Sequence, residues 1–155
     1  MKIINNRLLI ISILYIFSNP IILSVNKDDV VSDTILNVFV YQYPVQSVSS
    51  YESYEEGFFK DIKCIDDNCL LMIQFGPVIL NLNKNRHIIN SFENQIQKSE
   101  KGYELHNGKK KFYRMIEYKN EPFIIYYFGV DSLLIDKYDK IIENSKIINS
   151  KNKNL

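Results

Sequence analysis

Apolar and aromatic residues fall in short runs along this chain, bounded by clusters of turn-forming residues, and most runs have the composition of strands. Residues 35–43, ILNVFVYQY, alternate with Leu36, Val38 and Val40 on one face and Ile35, Phe39, Tyr41 and Tyr43 on the other. This predicts one strand covered on both sides. From Pro44 the chain turns to Ser and Tyr, and Val45, Val48, Tyr51 and Tyr54 recur every three residues, which predicts a short amphipathic helix ended by Gly57. Phe58–Ile65, Cys69–Phe75 and Val78–Leu82 follow as three extended runs, separated by Asp66-Asp67-Asn68 and Gly76-Pro77. These are turn residues, so the runs form a meander.

Ile88, Ile89, Phe92 and Ile96 then line one side of a predicted middle helix. Asn107-Gly108 is the strongest hairpin signal, because both residues tolerate the positive φ that a type I′ turn needs. It joins Tyr103–His106 to Lys111–Tyr118, and Lys119 to Pro122 turns the chain into Phe123–Phe128. After Gly129, Asp131 is placed to cap a C-terminal helix whose Leu134, Tyr138, Ile141, Ile142, Ser145 and Ile148 share one stripe. The fold class expected is α+β: an antiparallel meander sheet with a middle helix and a C-terminal helix packed on it. The strand hairpin with its closing helix, ending KYDKIIENSKI, resembles the C-terminal part of PsbP-like α/β/α sandwich proteins. That likeness covers under a third of the chain and implies a fold, with no functional residue.

The first residues have a different character. Lys2 and Arg7 precede a run from Leu8 to Phe17 broken only by Ser12, the pattern of a secretory signal peptide. Cleavage is expected after Ser24, with Ser18 as the other small-residue point. Ser18, Asn19 and Pro20 interrupt the apolar stretch and so argue against the rival reading, an uncleaved membrane anchor. The expected organisation is a signal peptide over 1–24, a single α+β domain over 25–148 and a disordered tail over 149–155. Export to a periplasm or to the exterior follows from it, with tethering by an uncleaved segment as the alternative.

Removing Lys2 and Arg7 from the 19 basic residues leaves 17 against 18 acidic ones. Such balance gives no electrostatic case for nucleic acid. The chain lacks alanine and tryptophan and has a single threonine, Thr34, while Ile, Asn and Lys abound, a bias that makes Lys109-Lys110-Lys111 a solvated turn.

Cys64 and Cys69 are the only cysteines, and they flank a short polar turn that would set them opposite each other. In an oxidising compartment that placement predicts a disulfide; reduced thiols or a redox pair are the alternatives, and the spacing is not that of the exchange enzymes. His87 and His106 sit beside turns without ligand-spaced neighbours, so no metal site is expected, and Asp66-Asp67-Asn68 lacks the spacing of a calcium loop. No nucleophile elbow, phosphate-binding loop or dinucleotide motif occurs, and neither catalytic residues nor a cofactor are expected.

The segment suited to recognition contains Tyr41, Tyr43, Tyr51 and Tyr54 interleaved with serines, large rigid contact surfaces beside adaptable hydrogen-bonding groups. The plainer reading makes these tyrosines half-buried with their hydroxyls at the surface. The leading expectation is a small exported, non-enzymatic protein that binds another macromolecule, such as an inhibitor or an immunity-type protein. The alternative is a small-ligand or lipid-binding protein with an apolar cavity.

Overall fold

A computed structural model describes residues 29–77 and 85–148. The expected signal peptide, the run Val78–Leu82 and the tail 149–155 lie outside those residues. Strands β1 (Val30–Ile35) and β2 (Phe39–Pro44) form a hairpin; β3 (Ser47–Tyr54), β4 (Gly57–Cys64) and β5 (Cys69–Phe75) form a meander. Then come β6 (His87–Glu93), β7 (Gln97–His106), β8 (Lys109–Tyr118) and β9 (Phe123–Val130). A 3₁₀ turn (Ser132–Leu134) leads into helix α1 (Ile135–Glu143), and β10 (Lys146–Ile147) closes the described chain. The architecture is mixed α+β, dominated by antiparallel strands. Among the described residues its main sheet has seven strands in the order β3-β4-β5-β9-β8-β7-β6, and a smaller one has the order β1-β2-β10.

One face of the large sheet carries Phe58 and Ile62 from β4, Leu71 and Ile73 from β5, and Phe123, Ile125 and Tyr127 from β9, all buried. Their cross-strand registers, Ile62↔Leu71 and Leu71↔Tyr127 among them, put these side chains on the same side. The helix and the small sheet cover that side: Tyr138, Ile141 and Ile142 of α1 and Phe39 and Tyr41 of β2 join the same core. Phe39 stacks on Phe123 with centroids 4.8 Å apart, which locks the small sheet onto the large one. Each such fully buried side chain contributes about 1.5–3 kcal/mol from apolar area alone.

Several sequence expectations need correction. Residues 35–43 are not one strand: Leu36 and Asn37 both take positive φ (54° and 55°), and Val38 N–H donates to the Ile35 carbonyl at 3.0 Å, closing a tight turn. Alternation continued across that turn because the hairpin places Ile35 directly opposite Phe39 on the same face. The expected helix through Val45, Val48, Tyr51 and Tyr54 is strand β3, paired with β4 in unbroken register from Ser47↔Cys64 to Tyr54↔Gly57. The expected middle helix through Ile88, Ile89, Phe92 and Ile96 is strand β6 and the turn after it. Both are edge strands, largely exposed on both faces, so neither shows the alternation that marks a half-buried strand. Asp131 makes no side-chain cap; its carboxylate instead takes Lys111 at 2.7 Å.

The C-terminal helix is present but shorter than its expected stripe: α1 ends at Glu143, Ser145 is buried just beyond it, and Ile148 lies past strand β10 and is exposed. Asn107 and Gly108 take φ of 50° and 74° between β7 and β8, and Tyr138, Ile141, Ile142 and Ser145 are buried. Among the described residues there is one α-helix, on one face of the sheet, so the layering of the α/β/α resemblance is not seen there.

Candidate functional site

The β3 edge is built by its own alternation. Partners in an antiparallel pair alternate between those that exchange backbone hydrogen bonds and those that do not. Ile65 N–H donates to the Gln46 carbonyl at 3.1 Å, and the register runs on from Ser47↔Cys64, so Val48, Ser50, Glu52 and Tyr54 direct their backbone groups at β4. The N–H and C=O groups of Ser49, Tyr51 and Ser53 therefore point away from the sheet. Among the described residues no strand lies beyond β3. Natural edges are usually blunted by lysine, proline or a bulge, yet the β3 sequence SVSSYESY has neither residue, its register is unbroken, and Glu52 is its single charge.

The two tyrosines of β3 serve its opposite faces. Tyr51 is 59% exposed, and its ring stacks on Phe58 with centroids 5.0 Å apart, so the side chain is held in place while its outer face stays free. Val48, equally exposed, lies on the other face. Tyr54 is half-buried on that second face: its ring lies 5.3 Å from Phe59 and its hydroxyl donates to the Phe75 carbonyl at 2.7 Å.

Tyr41 and Tyr43 belong to β2 and do not join this edge. Tyr41 is fully buried and donates its hydroxyl hydrogen to Asp33 at 2.6 Å, with the Lys60 ammonium against both groups. The Tyr41 bond, more than any other cause, holds the Asp33 carboxyl below the usual carboxylate range, while burial pushes the Tyr41 phenol up. Tyr43 is half-buried beside it, ring centroids 5.8 Å apart. Of the four tyrosines read from the sequence, the structure brings Tyr51 and Tyr54 to one strand and puts Tyr41 in the core.

At the start of β3, Ser47 pairs with Cys64, which pairs in turn with Cys69 across the β4–β5 turn. Both cysteines are buried thiols under α1. The Cys64 thiol donates to the Ile62 carbonyl at 3.7 Å, and the Cys64 sulfur, together with burial, pushes the neighbouring Cys69 thiol up. Asp67, in the same turn, accepts Tyr138 Oη and pairs with Lys137 Nζ, each at 2.8 Å on the same oxygen. Sequence reading missed this tie between turn and helix. Its only trace was an acidic turn in one place and a Lys-Tyr pair on a helix far along the chain.

Two open clefts flank the far end of the sheet. One, of about 600 Å³, is lined by Arg86, Lys98, Glu100, Met115, Glu117 and Ile124 among others; Glu100 takes both Arg86 at 2.8 Å and the Tyr113 hydroxyl at 2.9 Å. The other, of about 460 Å³, lies between Ile96, Ile116 and Ile147 with Arg114, Glu143 and Lys146 around it. His87 is exposed and stacked on Tyr103, and His106 is exposed at the tip of β7. Among the described residues, no three His, Cys, Asp or Glu side chains gather as a metal-holding group.

Comparison of the chain with protein-family models, with curated proteins and with solved structures finds no match.

Proposed function

We propose that this chain is a small exported, non-enzymatic domain that binds another protein by accepting an extended segment beside β3. The observation that carries this reading is the open β3 edge, with the Ser49, Tyr51 and Ser53 backbone groups directed outward and the Tyr51 ring fixed on Phe58. Strand addition takes its affinity from main-chain hydrogen bonds and its selectivity from side chains on alternate positions. Tyr51 and Val48 supply one such contact on each face.

Export fits the basic and apolar N-terminal pattern and the Cys64–Cys69 pairing. In the exported protein the two thiols become a disulfide through exchange with the disulfide of an exported thiol oxidase. That partner gains two electrons and two protons as the Cys64–Cys69 bond forms, and the clasp then fixes the end of β4 that aligns Ser47. The ligand-carrier alternative draws on the two clefts, but charged side chains line both of them.

The test is capture of partners from the compartment that receives the protein, using wild type, Tyr51→Ala and Ser49→Pro as baits. A partner bound by wild type and lost from both variants supports strand addition at β3; a partner retained by both contradicts it.

A further inference from the structure

The chemistry of the β3 edge also identifies what fits it. We infer that the occupant is β3 of a second copy of this chain, paired antiparallel about a two-fold axis at Tyr51. This rests on the reading of β3 as the binding edge and names its partner.

With Tyr51 opposite Tyr51, the outward residues meet outward residues: Ser49 of each copy faces Ser53 of the other. Three such pairs exchange about six backbone hydrogen bonds, two per pair. The side chains agree face by face, because β3 alternates without interruption. Val48 of one copy lies opposite Tyr54 of the other, whose ring is turned back over Phe59, and Tyr51 meets its equivalent, an aromatic pair of the kind that stabilises sheets, on the face where Phe58 supports it. Glu52, the one charge on the strand, faces the Ser50 hydroxyl. Moving the axis to Glu52 would set like charges opposite each other, and moving it to Ser50 would set Val48 against Glu52.

The opposite edge does not offer this symmetry. β6 exposes Ile88, Ile89 and Phe92, but its register against β7 shifts between Ile88 and Asn90. The extra residue reverses the phase, so a two-fold pairing about Asn90 would set Ile88 opposite Phe92 on opposite faces. A β3-to-β6 contact is head-to-tail and builds an open-ended chain of copies, whereas β3-to-β3 closes at two.

The experiment measures molar mass against concentration by light scattering and sedimentation. It uses the full chain expressed with its own N-terminal segment, as wild type, Ser49→Pro and Phe92→Ser. Ser49→Pro removes an outward N–H and leaves the β4 bonds intact, which an edge strand tolerates; an unchanged melting curve confirms its fold. The expected result is a dimer in wild type and Phe92→Ser, with Ser49→Pro weakening association at least about tenfold for the loss of one or two backbone bonds.

A dimer insensitive to Ser49→Pro, or an open-ended polymer, overturns the proposal. So does a monomer at all concentrations. A monomeric wild type that still captures a different protein in a Ser49-dependent way overturns the second copy as partner and leaves β3 as the binding edge. A monomer without such capture overturns both.

Discussion

The Tyr138 hydroxyl donates to the Asp67 carboxylate at 2.8 Å, on the oxygen that also holds the Lys137 ammonium, and so ties the β4–β5 turn to the helix across 71 positions of sequence. Asp67 is buried, so its charge needs both partners. Asp67→Ala leaves an ammonium and a phenol without this acceptor and is expected to cost about 2–3 kcal/mol, while Tyr138→Phe removes one hydrogen bond and costs about 1–2 kcal/mol. Urea melts of the two variants and the double variant check this. A non-additivity of under a few tenths of a kcal/mol would show that the pair does not couple.

The clasp beside that turn gives a separate expectation. Oxidised Cys64–Cys69 closes a very short loop, worth about 2 kcal/mol in the chain-entropy description. Reduction should lower the melting temperature by roughly 5–10 °C, and Cys64→Ser with Cys69→Ser should melt like the reduced protein. Intact mass with and without alkylation reports the covalent state directly. Free alkylation of both cysteines in protein taken from its exported compartment would remove the clasp from the account.

At the β3–β4 turn, a Cβ on Gly57 would lie 2.0 Å from the Phe75 carbonyl oxygen and 2.6 Å from the Tyr54 hydroxyl. The carbonyl belongs to the backbone of the neighbouring strand and cannot move aside cheaply. Gly57→Ala is therefore expected to cost about 3 kcal/mol, the upper part of the range for overpacking. A thermal melt within one or two degrees of wild type would show that the glycine is not required for this close approach.

These sites show what was legible in the sequence. The β4–β5 hairpin was, because an Asp-Asn turn interrupts two apolar runs that bury one face, and so was the Asn107-Gly108 turn with the strand ends beside it; the first half of β7, Gln97 to Gly102, is polar and carries no strand pattern. The C-terminal helix was legible for the same reason, a buried stripe through Tyr138, Ile141 and Ile142. The two edge strands were not. Val48 and Tyr51 lie on opposite faces and are both exposed, so their spacing of three imitates a helix while nothing in burial enforces a strand. What makes β3 a strand is its pairing with β4 across the Glu55-Glu56 turn, a cross-strand contact that propensity does not encode and that two glutamates do not signal as a hairpin. The Leu36-Asn37 turn was hidden too, because leucine rarely takes positive φ. The candidate site was legible in composition through Tyr51 and Tyr54, and its geometry depended on the edge position.

Asp33 gives the fold a pH signature. Its carboxyl is held below its usual range, first by the Tyr41 hydroxyl. A depressed folded-state pKa stabilises above the unfolded value of about 3.9, and that contribution disappears as pH falls through the folded value. Wild type should thus lose stability below about pH 4, partly through this group. Tyr41→Phe should lower stability at neutral pH and flatten the acid limb; a variant curve parallel to wild type down to acid would contradict the link.

Residue-resolved hydrogen exchange on free and partner-bound protein reads out most directly the role of the outward amides of β3 as the binding groups. The expected result is fast exchange of the Ser49, Tyr51 and Ser53 amides in the free monomer and strong protection in the complex, with Ile88, Ile89 and Phe92 of β6 unchanged. Unchanged exchange at those three amides in a saturated complex, with protection appearing at β6 or around either cleft, would contradict it.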